Sequence, residues 1–401
     1  MKTSVFYDDI RPAADIIKTG GLVAVPTETV YGLAANGLDE AAVAKIYEVK
    51  GRPETKPLSL MVPGAEALTK YGRDVPRSAQ VLAERFWPGP LTIVVKAAAG
   101  IPPLVLAGGD TVGLRCPDSE KTLELLRTCE LPLAAPSANP SGAESPKTAE
   151  QVAAYFDGAI DGIIDGGTCG IGQESTIVDL SVVPYRVLRQ GALPAEEIQK
   201  ALISSLKIVG VTGGTGTGKT TALQVMEEMG GLAIDADKVY HDLCRDCMPM
   251  LEEIETRFPG SVEKGVLQRK KLGAVVFSDP AALADLSAIT DVYVDRAIND
   301  MLANHAAAGG KYAAVDAINL IGTELAQRFT ALVGVVAPED VRVARLVARE
   351  GIDMEYARMR IRAQKPDTYF EAHCDYIIRN DGGKEEFRLA CRELLDKILE
   401  D

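Results

Sequence analysis

The sequence predicts two α/β domains of different construction: a mixed α+β domain with a twisted sheet over residues 1–203, and a doubly wound, parallel-sheet domain over residues 204–401. Three observations lead there. At 401 residues the chain is too long for one ordinary hydrophobic core. With 47% hydrophobic and 25% charged residues it has the make-up of folded protein rather than of disorder. Its apolar pattern also changes along the chain: strands and helices mix irregularly before residue 200, then alternate as strand and helix after it.

In the first half, GLVAVPTETVYGLAAN opens with an apolar strand and a Pro-Thr turn. EAAVAKIYEVKGRP has apolar residues at helical spacing up to Lys50. PLSLMV, LTIVVKA and TVGLRCP are further strands, and PLAAPSANPSG is a strand running into a polar loop. KTAEQVAAYF is a helix capped near Ser145 to Thr148, and GIIDGG, STIVDL and YRVLRQG close the half as short strands. LPAEEIQKALISS then reads as a short helix running out into Ser204 and Ser205, a short linker outside either core. Beyond it, LKIVGVTG, GLAIDAD, YAAVDAINLI, TALVGVV and CDYIIRN are strands with helices between them, the pattern of a parallel sheet.

Composition excludes several classes of function. The formal net charge is -14, so no global field steers the chain to nucleic acid or to an anionic membrane, and stable direct nucleic-acid binding is not expected. Aromatic residues make up only 5%, thin for stacking on single-stranded RNA. No apolar run is long enough for a membrane span, and the first residues lack a signal-peptide pattern, so a cytoplasmic protein is expected. Seven scattered cysteines fit reduced thiols. Cys244 and Cys247 form a CxxC with His241 before it, but the segment KVYHDLCRDCMPMLEEI reads as helix and its continuation, which favours unligated thiols over zinc.

Residues 213–221 read GGTGTGKTT between a strand and a helix, and Gly213, Gly218, Lys219 and Thr220 fit the P-loop spacing GxxxxGKT. Gly214, Thr215, Gly216, Thr217 and Gly218 can turn backbone N–H groups around phosphate oxygens at the positive end of a helix. Lys219 can span the β- and γ-phosphates, Thr220 can ligate Mg2+, and Thr221 follows in the same turn. In AIDAD, Asp235 and Asp237 fall at the C-terminal end of the next strand, where an aspartate can orient or deprotonate an acceptor hydroxyl; a helix cap at Asp237 is the plain structural alternative. These pieces, with GVLQRKKLGAVVFSDP, AAVDAINLI, VRVARLVAREGIDMEYARMRIRAQ and CDYIIRNDG, resemble the dephospho-coenzyme A kinases from residue 207 to about 400. The resemblance implies transfer of the ATP γ-phosphate to the ribose 3′-hydroxyl of dephospho-CoA. It implies Asp237 as base and acceptor contact, Lys219 as phosphate clamp, and Arg345 and Arg349 as lid cations, with Gln364 and Asn380 at matching positions. Two segments depart from the family pattern, Thr290-Asp291 and residues 318–322, and both bear on the acceptor side.

The first half carries a second set of polar groups without a P-loop. Lys50, Arg52 and Lys56 put three cations in seven residues, a pocket wall or equally a solvated helix C-terminus. Thr27 and Thr29 in PTET, Ser137, Asn139 and Ser141 in PSANPSG, Ser175 and Thr176 in GQESTIVD, and Arg189 in LRQG add hydroxyls, an amide and a cation. Taken with RFWPGPLT and GLRCP, these segments resemble the YrdC-like L-threonylcarbamoyladenylate synthases over residues 10 to about 200. The resemblance implies condensation of L-threonine, bicarbonate and ATP, with Mg2+, to threonylcarbamoyl-AMP and pyrophosphate, the product passing to tRNA-modification proteins. By position it implies ATP contacts at Arg52, Lys56, Thr111, Ser137, Asn139, Ser145 and Arg189. Threonine contacts fall at Thr29, Arg115, Ala135 and Ser175, and Lys50 adds charge near the phosphates. Lys56 stands where many members have asparagine. An RNA-binding first half joined to a regulatory NTP-binding second half is the alternative reading.

Overall fold

The computed structural model describes residues 2–317, 320–322 and 326–400. The chain divides into two compact units: residues 1–202 with 307–309, and residues 203–306 with 310–401. Among the described residues, no helix is long and apolar enough to cross a membrane. As expected, LPAEEIQKALISS forms a helix, Ala195–Ser204, that runs out into the two serines, and Leu202, Ile203 and Leu206 beside them are buried.

The first unit is built on an eleven-stranded sheet of mixed direction. Its middle decides where the site lies. Ser59–Met61 runs parallel to Thr111–Arg115, with Met61 opposite Arg115. Leu91–Ala97 lies antiparallel to Thr111–Arg115 and parallel to Thr176–Asp179, with Ile177 opposite Thr92. Arg186–Arg189 pairs antiparallel at the edge, with Arg189 opposite Ile177. This register brings Met61, Thr92, Arg115 and Arg189, from four strands scattered over the chain, to one end of the sheet. The helix Glu40–Lys50 starts where the Asp39 carboxylate accepts from the N–H groups of Ala41 and Ala42, and stops at Gly51 in a left-handed conformation. That stop is what separates Lys50 from Arg52: one side chain turns inward and is buried, the other stays half-exposed. As expected, Ala149–Phe156 is a helix; Thr148 caps it, accepting from Gln151 N–H.

The second unit holds a five-stranded, wholly parallel sheet in the order Leu232–Asp235, Tyr312–Asp316, Lys207–Thr212, Ala331–Val336, Tyr376–Arg379. The inner strands are continuous apolar runs, as burial on both faces demands. The helices Lys219–Glu228 and Lys384–Glu400 close one side of the core around Val225, Met226, Phe387 and Cys391. Register sets Asp235 directly beside Asp316 at the C-terminal edge, where doubly wound sheets place their ligands. The segment around the CxxC differs from expectation: the helix Ala236–Asp246 ends at Cys247, and a new one, Met248–Arg257, begins. Pro249 starts that helix, where its missing N–H costs nothing, but it cannot continue the previous one. Cys244 is buried, and His241 Nδ1 pairs with the carbonyl of Asp237 at 2.6 Å.

Candidate active sites

In the first unit a cavity of about 170 Å3 opens at the convergent strand ends. Arg52, Arg115 and Arg189 line it together with Ser59, Thr92, Ser137 and Ser175; Glu174 is its one acid, and Met61, Ala135 and Ile177 supply apolar wall. Arg115 is held almost rigid. Its Nη2 donates to Glu28 Oε1 at 2.7 Å and to Thr29 Oγ1 at 2.7 Å; Arg115 is buried and Glu28 is only slightly exposed. The other Glu28 oxygen accepts from Asp118 N–H at 3.0 Å. Thr29 itself is fully buried and bonded to Thr27 Oγ1 at 2.9 Å, so it supports the arginine and does not line the cavity. Ser175 Oγ is 2.9 Å from Thr92 Oγ1 and accepts from Arg189 Nη2 at 3.1 Å.

Three of the other expected residues lie behind the cavity wall. Lys50 Nζ donates to the carbonyls of Ser137 at 2.5 Å and of Asn139, tying the helix end under the PSAN loop. Burial pushes its ammonium down to about 8, with Arg52 adding to the shift and Glu174 opposing it. Asn139 donates to the carbonyls of Pro140 and Ala143 inside the loop, at 3.0 and 2.7 Å. Ser145 Oγ donates to Glu174 Oε1 at 3.1 Å. Lys56 is exposed, Thr111 sits at the start of its strand opposite Lys96, and neither lines the cavity. Arg52, Ser137, Arg189, Arg115, Ala135 and Ser175 do line it. The residue types alone did not single out Glu174, Glu28, Thr92 or Met61. Glu174 and Glu28 sit inside the quoted segments ESTIVD and PTET, but a lone carboxylate there has no pattern that tells a site from a turn.

In the second unit the glycine loop is held open from outside. Gly213 has φ 144°, and a Cβ there would stand 2.3 Å from the Val335 carbonyl oxygen; Gly218 has φ 111°, and its Cβ would meet Asn380 Nδ2 at 2.2 Å. The loop carbonyls are claimed by side chains. Arg342 Nε donates to Thr215 O at 2.9 Å, Arg345 Nη1 to Gly216 O at 3.2 Å, and Asn380 Nδ2 to Thr217 O at 2.7 Å. With the carbonyls turned out, the N–H groups of a loop opening onto a helix N-terminus are left for an anion. Gln364 Oε1 accepts one of them, from Thr215, at 2.7 Å. Arg345 thus braces the loop itself, joined to Asn380 Oδ1 at 2.8 Å. Arg349 is exposed and paired with Glu350 at 2.5 Å.

Behind the loop, Lys219 Nζ lies 3.9 Å from Asp316 Oδ1, an oxygen that is buried and has no hydrogen-bond partner. Burial drives the Asp316 carboxyl up to about 7; Lys219 opposes the shift, and the charges of Asp235 and Asp237 add to it. The cap of the following helix is Asp235, which accepts from Lys238 N–H at 3.0 Å. The structural alternative of a cap at Asp237 is therefore moved two residues back, since the helix starts at Ala236 and Asp237 lies within its first turn. Of the two departures on the acceptor side, Thr290 is buried within the helix Pro280–Ala307 and bonds back to Leu286 O at 3.0 Å. Ile318 and Asn319 of the other lie outside the described residues. Sequence reading did not name Arg342 or Asp316 as site residues. Asp316 stands in an apolar strand, and only the sheet order reveals that it neighbours Lys219.

Comparison with known proteins divides the chain at the same place. A Sua5/YciO/YrdC family profile, described as "Telomere recombination", matches residues 15–191, and a dephospho-CoA kinase profile matches residues 207–386. Over 193 residues the chain is 50% identical to a threonylcarbamoyl-AMP synthase of Pyrococcus abyssi, covering 48% of this chain and 57% of that protein. The chain thus spans little more than half the length of that relative. A Methanocaldococcus jannaschii protein provisionally given the same name is 36% identical over 46% of this chain and 86% of its own length. A dephospho-CoA kinase of Anaeromyxobacter dehalogenans is 35% identical over 49% of this chain and 92% of its own length. The chain belongs to both families, carrying a Sua5/YciO/YrdC domain followed by a dephospho-CoA kinase domain.

Proposed function

We propose that the chain is a bifunctional enzyme. Its first domain condenses L-threonine, bicarbonate and ATP to threonylcarbamoyl-AMP and pyrophosphate, and its second phosphorylates dephospho-CoA on the 3′-hydroxyl. The observation that carries the first half of this reading is the cavity in which three arginines and four serine and threonine hydroxyls surround a single carboxylate. At about 170 Å3 it is smaller than the ~300–1,000 Å3 of pockets that enclose a drug-sized ligand. It suits the reacting end, threonine carbamate against the α-phosphate, with the rest of the nucleotide running outward. Arg115, fixed by Glu28 and Thr29, faces the threonine carboxylate; Arg52 and Arg189 face phosphate; Ser137 and Ser175 orient the two reactants. No side-chain nucleophile is needed. Catalysis comes from in-line positioning and from preorganised cations that receive the developing charge. Lys50 acts through the backbone it holds, aiming Ser137 into the cavity.

In the second domain Lys219 clamps the phosphates, and Asp237 orients the acceptor hydroxyl or takes its proton. The residues fit a magnesium ion: Thr220 offers a hydroxyl directly after Lys219, and Asp316 has a buried oxygen without a hydrogen-bond partner. When bound, Mg2+ neutralises charge between the β- and γ-phosphates. Threonylcarbamoyl-AMP is a reactive mixed anhydride, so transfer to tRNA requires acceptor proteins of the modification pathway. ATP-consuming chemistry and cysteines that are all free thiols fit a cytoplasmic setting.

The test is an assay of the whole chain with threonine and bicarbonate, and separately with dephospho-CoA. Formation of threonylcarbamoyl-AMP and pyrophosphate in the first and CoA in the second is expected. Asp237→Asn lowers kcat of the second reaction by roughly 10²–10⁴ with the KM for ATP close to unchanged. ATP turnover independent of either acceptor would reject the reading.

A further inference from the structure

The cavity proposed to meet the phosphates of a nucleotide contains one carboxylate, and that carboxylate sits on groups the phosphates need. Glu174 Oε2 accepts from Arg189 Nη1 at 2.5 Å, and Oε1 accepts from Ser145 Oγ at 3.1 Å. The remaining contacts of Arg189 are to fixed partners: Nε donates to Ser175 O at 3.0 Å and Nη2 to Ser175 Oγ at 3.1 Å. A guanidinium grips a phosphate best through a two-pronged edge. One edge of Arg189, Nε with Nη2, is already committed to the buried Ser175. The other edge includes Nη1, which Glu174 occupies. The Glu174 side chain is 37% exposed and its carbonyl is pinned by Ala192 N–H, so the carboxylate can leave while the backbone stays.

We propose that Glu174 is an exchangeable counter-anion of the polyphosphate subsite, a specificity-determining residue that occupies Arg189 and Ser145 when no nucleotide is bound. This rests on the nucleotide reading of the cavity. Without an anion, the like charge of Arg52 bears on both Arg189 and the buried Lys50, an arrangement that costs stability unless a negative charge is near. Glu174 supplies that charge from within the chain. Binding of ATP moves the carboxylate aside, and its return competes with pyrophosphate for the same guanidinium edge. The site therefore gives up affinity for both anions and gains release of pyrophosphate.

The experiment uses the whole chain with Glu174→Gln, which keeps side-chain shape and removes the charge. In the threonine- and bicarbonate-dependent reaction, the KM for ATP and the inhibition constant of pyrophosphate should both fall about tenfold, the size of one charge-assisted contact. Glu174→Asp retains the charge and should stay closer to the parent chain than Gln does. Unchanged or raised constants in the Gln variant overturn the proposal. So does a loss of affinity that appears only with Mg2+ present, which would make Glu174 a metal ligand. Calorimetry with inorganic pyrophosphate, on whole chains that all carry Lys219→Ala to weaken the P-loop, reads the same competition without the reaction. If the parent chain makes no threonylcarbamoyl-AMP while this calorimetric difference holds, the functional reading fails and the counter-anion stands.

Discussion

The loop at residues 213–218 offers an anion backbone N–H groups and one neighbouring lysine, whereas the first domain gathers Arg52, Arg115 and Arg189 from three distant segments. The backbone design needs glycines at set positions, because Gly213 and Gly218 have φ angles and surroundings that a Cβ would violate. The side-chain design needs no special backbone, only a sheet whose register brings the right strand ends together. The first therefore depends on local backbone shape together with one lysine; the second depends on each cation and on the register that gathers them.

The largest effects should separate the two designs. Arg52→Ala should lower threonylcarbamoyl-AMP formation by roughly 10²–10³, as loss of one preorganised charge-stabilising donor does, and leave dephospho-CoA phosphorylation unchanged. Lys219→Ala should do the reverse, raising the KM for ATP and lowering turnover of the kinase together, as loss of a P-loop lysine that clamps phosphate before and during transfer does. Parallel assays of both activities on each variant check the pair. Equal loss of both activities in either variant would mean the sites do not work separately.

That contrast also explains what could be read from the chain before its fold was known. The P-loop is contiguous, so its residues stand out by spacing alone, and the parallel sheet followed from strand and helix alternation. Asp316 was not, since its importance comes from lying beside Lys219 and Asp235 in a sheet whose order is not the chain order. In the first domain the resemblance located Arg52, Arg115, Ser137, Ser175 and Arg189. It could not separate groups that line the cavity from those that hold the lining in place. Thr29, Lys50 and Asn139 belong to the second kind, and only their hydrogen bonds reveal it. The helix break at Cys247 was missed for a local reason: a short apolar period across the CxxC outweighed Pro249.

A smaller effect tests the electrostatics behind the P-loop. Asp316, pushed up to about 7, is neutral in the ligand-free enzyme below that pH and charged above it. If its ionised form is needed to engage the metal–nucleotide complex, kcat/KM for ATP should fall about tenfold per pH unit below 7. The limb in kcat should lie lower, because a bound cation favours the carboxylate. Stability has the opposite sign. A carboxyl whose folded value is raised weakens the fold as pH climbs from about 4 to 7, where the buried group must become charged. Asp316→Asn should therefore lose the acid limb in the rate profile and flatten that decline in a pH series of thermal melts. A flat rate profile between pH 6 and 8 in the parent chain would refute the assignment.

The smallest expected effect concerns Asp235, which differs from Asp237 in role although only Ala236 separates them. Its carboxylate caps the helix Ala236–Asp246 through the Lys238 N–H, so Asp235→Ala should cost about 1 kcal/mol. For a unit of this size that is a melting shift of about 2–4 °C in the transition of the kinase domain. Asp237 makes no such contact, and Asp237→Asn should leave the melt in place while lowering turnover. The Asp235 charge also repels Asp316, and its removal relieves part of the burden on that buried acid. The relief exists only where Asp316 is charged. The destabilisation by Asp235→Ala should consequently be larger at pH 5 than at pH 8, whereas a pure capping loss would be the same at both. Melts of the parent chain, Asp235→Ala and Asp235→Asn at the two pH values decide between them. Asn keeps a capping oxygen and discards the charge, so it should retain stability at pH 5 and gain slightly at pH 8.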